Sequence, residues 1–227
     1  MGEPVERSIT RSFNCYYDLF VPEGKRKLPL LIALHGYGGD KSSMMRMARR
    51  FAGEDFVVAA LQGPHQHLNI PKSPAEQLSF GFGWLSNFKP EESVELHHLN
   101  LNDLIAQLGD EDLIDPAKVF LFGFSQAVAL NFRYVFSHPH VIRGVVAVSG
   151  GIPGDWNSEG KYFSSNTEVL VVSGEKDEYY QPEQVRKNAT RLAERALSVR
   201  VEIFDAGHEV PREAFPLISE WLRSRMV

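Results

Sequence analysis

Three side chains able to carry out acyl transfer occur in the order Ser125, Asp177, His208, each in a turn directly past an apolar run. A serine hydroxyl attacks a carbonyl only when a base removes its proton, neutral imidazole is that base near neutral pH, and a carboxylate orients the imidazole. Ser125 lies in Gly123-Phe124-Ser125-Gln126-Ala127, where an apolar strand gives way to a helical pattern. That context reads as a nucleophile elbow, whose strained backbone needs small residues two positions to either side, here Gly123 and Ala127. Asp177 ends Gly174-Glu175-Lys176-Asp177, with Glu175 and Glu178 as rival carboxylates on the same turn. Among eight histidines, His208 alone follows the last strand, in Gly207-His208-Glu209. The turn Leu34-His35-Gly36-Tyr37-Gly38-Gly39-Asp40 frees backbone N–H groups to face developing negative charge, so Tyr37 and Gln126 are the expected oxyanion-hole donors.

Other reactive residue types fit bland roles. His35 precedes the nucleophile in a glycine-rich turn and reads as a structural hydrogen-bonding residue. The pairs His65/His67, His97/His98 and His138/His140 lack a carboxylate or thiol set at zinc spacing, so no metal is expected. Cys15 is far from the elbow, which argues against a cysteine nucleophile.

The elements that must position these groups follow from hydrophobic periodicity. Strands are expected at Ser12–Val21, Pro29–His35, Phe56–Leu61, Val119–Phe124, Ile142–Ser149, Val169–Ser173 and Val199–Phe204, and helices at Ser42–Ala52, Glu91–Leu108, Gln126–His138, Pro182–Arg195 and Pro211–Arg225. Alternation of strands and helices predicts a mostly parallel sheet with helices on both faces, the first strand being an antiparallel edge. In such a sheet the carboxyl ends of the strands share one edge, so Ser125, Asp177 and His208 can meet. With no linker or repeat, residues 1–227 read as one domain. The irregular stretch Gln62–Pro90 is too long for a plain connector and is expected to wall a pocket.

Composition narrows the rest. Twenty-four Lys and Arg against 29 Asp and Glu give a net charge of −5, with no basic block, so nucleic acid is not an expected partner. One cysteine excludes an internal disulfide and fits a cytoplasmic setting. The N-terminus carries no apolar export signal or lipidation motif, and no apolar run approaches the ~20 residues of a membrane span, so a soluble monomer or homodimer without a stable membrane anchor is expected.

Leu34-His35-Gly36-Tyr37-Gly38, the elbow, Ser173-Gly174-Glu175-Lys176-Asp177 and Gly207-His208-Glu209-Val210 together resemble the phospholipase/carboxylesterase family of α/β-hydrolases, which includes the acyl-protein thioesterases. The resemblance covers about Pro29 to the C-terminus. It implies an α/β-hydrolase fold and a Ser–His–Asp esterase or thioesterase without cofactor, acting on a small acyl ester or thioester or on an acylated protein. Two positions depart from the family pattern: Ala127 where the elbow usually ends in glycine, and Ser173 where the acid motif usually opens with histidine. Both leave the catalytic groups intact and put substrate preference in question. A peptidase or aromatic-ester hydrolase on the same fold, and a ligand-binding module without turnover, are the alternatives. The gap between Ser149 and Val169 is too short for a large lid domain, so an open site is expected, walled by Phe80, Phe82, Trp84 and Phe88 with Ile152 and Trp156 on the opposite rim.

Overall fold

The computed structural model describes residues 3–24, 27–70 and 77–226. Seven strands form the main sheet in the order β1-β3-β2-β6-β7-β8-β9. They are β1 (Tyr17–Phe20), β2 (Leu28–Leu34), β3 (Val57–Leu61), β6 (Ile114–Phe124), β7 (Gly144–Val148), β8 (Glu168–Gly174) and β9 (Ser198–Phe204). Only β1 runs antiparallel, beside β3. A separate antiparallel hairpin, β4 (His65–Asn69) with β5 (Ser79–Gly83), stands over the carboxyl edge.

Helices cover both faces because the strands alternate apolar side chains between them. Leu30, Ile32 and Leu34 of β2 point to the core under α2 (Pro90–Asp110), α3 (Gln126–Ser137) and α4 (Pro182–Ala193). Leu31 and Ala33 point to the core under α1 (Lys41–Ala52) and α5 (Phe215–Arg223). Burial on both faces explains the continuous apolar runs of β2, β3 and β7. Parallel register then levels the strand ends: Leu34 pairs with Gly123, Phe124 with Val148, Val148 with Val172, and Gly174 with Phe204.

Several boundaries differ from the sequence reading for local reasons. β1 spans only Tyr17–Phe20, because the chain before it has no partner strand. β6 starts at Ile114 rather than Val119, with a register shift opposite Leu28–Leu30 near Pro116; proline donates no ladder hydrogen bond, so it disguises a strand. The last helix is split into a short 3-10 turn at Arg212–Ala214 and α5, where Pro216 occupies the first turn. Gln62–Pro90 is no irregular stretch: it holds the β4–β5 hairpin, and its Pro71–Glu76 lies outside the described residues. No helix occurs between β7 and β8. No helix among the described residues is long and apolar enough to cross a membrane.

Candidate active site

Ser125 sits one residue beyond β6 at φ 53° and ψ −115°, a left-handed backbone rarely tolerated by non-glycine residues. Its N–H donates to the Val148 carbonyl at 2.9 Å, which locks the turn between β6 and β7. The hydroxyl caps no N–H of α3 and points instead into the crevice at the strand ends, where His208 Nε2 stands 2.9 Å from Oγ. His208 Nδ1 lies 3.0 Å from Asp177 Oδ2 and 3.2 Å from Oδ1. The expected residues from the ends of β6, β8 and β9 therefore meet in one hydrogen-bonded chain.

Asp177 is fully buried. Burial alone would raise its pKa, but hydrogen bonds from His208, the Tyr179 and Tyr180 N–H groups and Ser149 outweigh that and hold it below the usual carboxylate value. The two backbone donors lie at 2.9 and 3.0 Å from Oδ1. An ionised Asp177 accepts from Nδ1–H, which leaves the Nε2 lone pair facing the serine hydroxyl. Glu175 and Glu178, the rival carboxylates, make no contact with the His208 ring among the described residues.

The oxyanion loop reaches Ser125 through close backbone approach. A Cβ at Gly36 would lie 2.8 Å from Phe124 Cδ1 and 3.1 Å from Ser125 Cβ, so only glycine fits without displacing Ser125. Tyr37 N–H, next in the loop, and Gln126 N–H, at the first position of α3, find no carbonyl acceptor among the described residues. Gln126 adds the positive end of a helix. His35 is buried beneath the loop: Nδ1 faces the Gly36 carbonyl at 2.7 Å, and Nε2 accepts the Gly63 N–H at 2.9 Å. Desolvation keeps this ring below its ordinary pKa, in line with a structural role.

The expected walls are corrected. Trp84 is 1% exposed; its N–H donates to Gln126 Oε1 at 2.8 Å and its indole N–H to the His35 carbonyl at 2.7 Å. It is core that ties the Leu34–Asp40 loop to the start of α3. Trp156 is also fully buried, edge-on to Phe136 and stacked on Tyr162. Ile152 turns toward Val185 and Leu192 of α4 around a space of only about 10 Å³. Phe80 and Phe82 alternate with Gly81 and Gly83, and the glycine face lies against the oxyanion loop: a Cβ on Gly81 would come within 2.7 Å of Gly38. That alternation turns both phenylalanines away from the crevice. Phe88 is 72% exposed on the approach to α2.

A crevice of about 700 Å³ opens beside the triad, lined chiefly by Tyr37, His67, Leu68, Ile70, Tyr179 and Tyr180. Tyr37 and His67 stack at 4.1 Å, and Tyr179 and Tyr180 flank the His208 ring at 4.8 and 5.9 Å. Of the hairpin, the sequence reading named Phe80 and Phe82 of β5 as walls and none of the β4 residues that line the crevice. The available signal was the spacing of His65, His67 and Asn69, which places them on one face of a strand. Ser149, at φ 46° and buried beneath Asp177, was likewise missed. Among the described residues no group of three or more His, Cys, Asp or Glu is placed to hold a metal.

NocK of Nocardia uniformis subsp. tsuyamanensis, whose name assigns it to the esterases, is 25% identical over 136 residues, 59% of this chain and 35% of NocK. The match thus spans about a third of that curated relative. Among solved structures, esterase PE8 superposes with a TM-score of 0.74 at 19% identity, covering 94% of this chain and 100% of PE8. The Mesorhizobium loti carboxylesterase has a TM-score of 0.71 at 20% identity over 92% and 94% of the two chains. The Bacillus cereus carboxylesterase has 0.70 at 16% identity over 93% and 94%. These likenesses establish the α/β-hydrolase fold. The family match runs over residues 18–226, nearly the whole chain, and with it the chain belongs to the phospholipase/carboxylesterase family.

Proposed function

We propose that the protein is a serine hydrolase that cleaves small carboxylic esters or thioesters through Ser125, His208 and Asp177. The observation that carries this reading is the continuous hydrogen-bonded chain from the Ser125 hydroxyl through His208 to Asp177, set on a strained elbow beside two unengaged N–H groups. Membership of the phospholipase/carboxylesterase family and the esterase name of a relative support it.

In the proposed cycle His208 Nε2 takes the proton of Ser125 Oγ as the oxygen attacks the carbonyl carbon. The resulting oxyanion lies between the Tyr37 and Gln126 N–H groups. Asp177 stabilises the imidazolium without itself being protonated. The tetrahedral species collapses, the bond to the alcohol or thiol breaks, and the leaving group takes the proton from His208. Water then attacks the acyl-enzyme with His208 as base, the carboxylic acid departs, and the Ser125 hydroxyl is restored. A fluorophosphonate probe should label the native chain, and the label should disappear in Ser125→Ala. An unlabelled native chain would remove this reading.

A further inference from the structure

Ser149 is held as firmly as Ser125 and, unlike it, is closed off from the crevice. It follows β7, the strand between β6 and β8, and is fully buried. Its φ of 46° lies in the left-handed region, like the 53° of Ser125. The N–H donates to the Val172 carbonyl of β8 at 2.8 Å, which fixes the residue beside the strand that leads to Asp177. Glycine would adopt this backbone without steric cost, whereas serine adds a Cβ and a hydroxyl to it. That hydroxyl is the one polar group the side chain brings.

The hydroxyl meets two turns at once. It donates to the Glu209 carbonyl at 3.3 Å, and it also hydrogen-bonds the Asp177 carboxyl. Glu209 is next in the chain to His208. A hydroxyl carries a single proton, and an ionised carboxylate and a carbonyl both only accept, so the proton is shared between the turn of the acid and the turn of the base. Resting on the hydrolase reading above, we infer that Ser149 is a positioning residue, which aligns Asp177 and His208 with Ser125 by tying the far ends of their two turns through one buried hydroxyl. The near ends are already joined, Glu175 N–H to the Phe204 carbonyl at 2.7 Å and Lys176 N–H to the Ala206 carbonyl at 2.9 Å. Beyond those bonds the turns diverge from different strands, β8 and β9, and the 3.0 Å contact between Asp177 and His208 depends on their separation. Ser149 does not line the crevice, so it acts through Asp177 and not on the substrate.

The test compares Ser149→Cys, Ser149→Ala and Ser149→Gly in kcat and KM for p-nitrophenyl acetate, with melting temperature recorded for each. The cysteine keeps the shape and a weak donor, the alanine keeps the Cβ alone, and the glycine also frees the backbone. A small misplacement of a catalytic group is felt mainly in turnover, so the alanine and glycine variants should both lower kcat by about tenfold with KM unchanged. The cysteine variant should fall between them and the native chain. In the Asp177→Asn background, Ser149→Ala should cost less than about twofold more, because residues that act as a unit are not additive. Native kcat in Ser149→Gly would assign the position to backbone strain. A full further loss in the Asp177→Asn background would place the effect outside the acid, a change confined to KM would place it on the substrate, and unfolding of all three variants would make the hydroxyl part of the fold alone. Each of these overturns the inference. Labelling by a fluorophosphonate separates the two levels: a labelled native chain with variants of native kcat removes the positioning role alone, whereas an unlabelled native chain removes the hydrolase reading.

Discussion

The two walls of the crevice are built by different means. One wall is the carboxyl edge of the sheet, where Ser125 and Asp177 follow β6 and β8, strands paired on both sides, and His208 follows the edge strand β9. The other is the β4–β5 hairpin, two strands joined by five paired positions and tied to the oxyanion loop at Gly38, Gly39 and Phe82. A two-stranded hairpin has little stability of its own, so this wall holds its place through its foot, Trp84. Under the proposed function, rate belongs to the sheet edge and substrate fit to the hairpin.

The largest expected effect breaks the sheet-edge wall. His208→Ala should lower kcat/KM for a short p-nitrophenyl ester by about 10⁴-fold, equivalent to about 5 kcal/mol of transition-state stabilisation, with no loss of melting temperature. Asp177→Asn should cost less, and a silent Asp177→Asn would move the acid role elsewhere. Next comes the foot of the hairpin wall. Trp84→Ala empties a site that is 1% exposed and should cost about 3–5 kcal/mol in denaturant unfolding.

The smallest effect concerns acid. His97, packed edge-on beneath Trp84, has its pKa pushed down to about 3 by burial, with His98 beside it adding to the shift. The folded chain thus leaves this ring neutral while the unfolded chain protonates it near ~6.5. Its stabilisation is complete above that pH and is lost as pH falls toward 3, at up to about 1.4 kcal/mol per pH unit. Denaturant midpoints measured between pH 7 and 5 should show this slope, and His97→Leu should flatten it.

The residues of the sheet-edge wall were legible in the sequence, whereas of the hairpin wall only its place within Gln62–Pro90 was, not its strands or its lining residues, for one physical reason. Buried parallel strands leave continuous apolar runs, and the turns beyond them must carry both small residues and chemistry, so Gly123, Ser125, Gly174, Asp177 and His208 announce their place. The hairpin segments His65-Gln66-His67-Leu68-Asn69 and Ser79-Phe80-Gly81-Phe82-Gly83 are polar or glycine-rich, with weak intrinsic preference for strand. Their pairing is set by the loop they rest on. Aromatic residues in such a stretch read equally well as core or as pocket, and only the glycine alternation decides that Phe80 and Phe82 face away. Trp84 and Trp156 show the same ambiguity resolved the other way, since each has ring or hydrogen-bond partners far along the chain.

Trp84 touches both halves of the proposed oxyanion hole, through the His35 carbonyl on one side and the Gln126 side chain on the other. In evolutionary terms this separates two kinds of change. Drift at the outer positions of the hairpin, such as Leu68 and Ile70, is buffered from the spacing of the Tyr37 and Gln126 N–H groups by one indole ring. Substrate range can then diversify within a lineage while turnover is inherited, and a directed-evolution library confined to those outer positions should keep most of its members active.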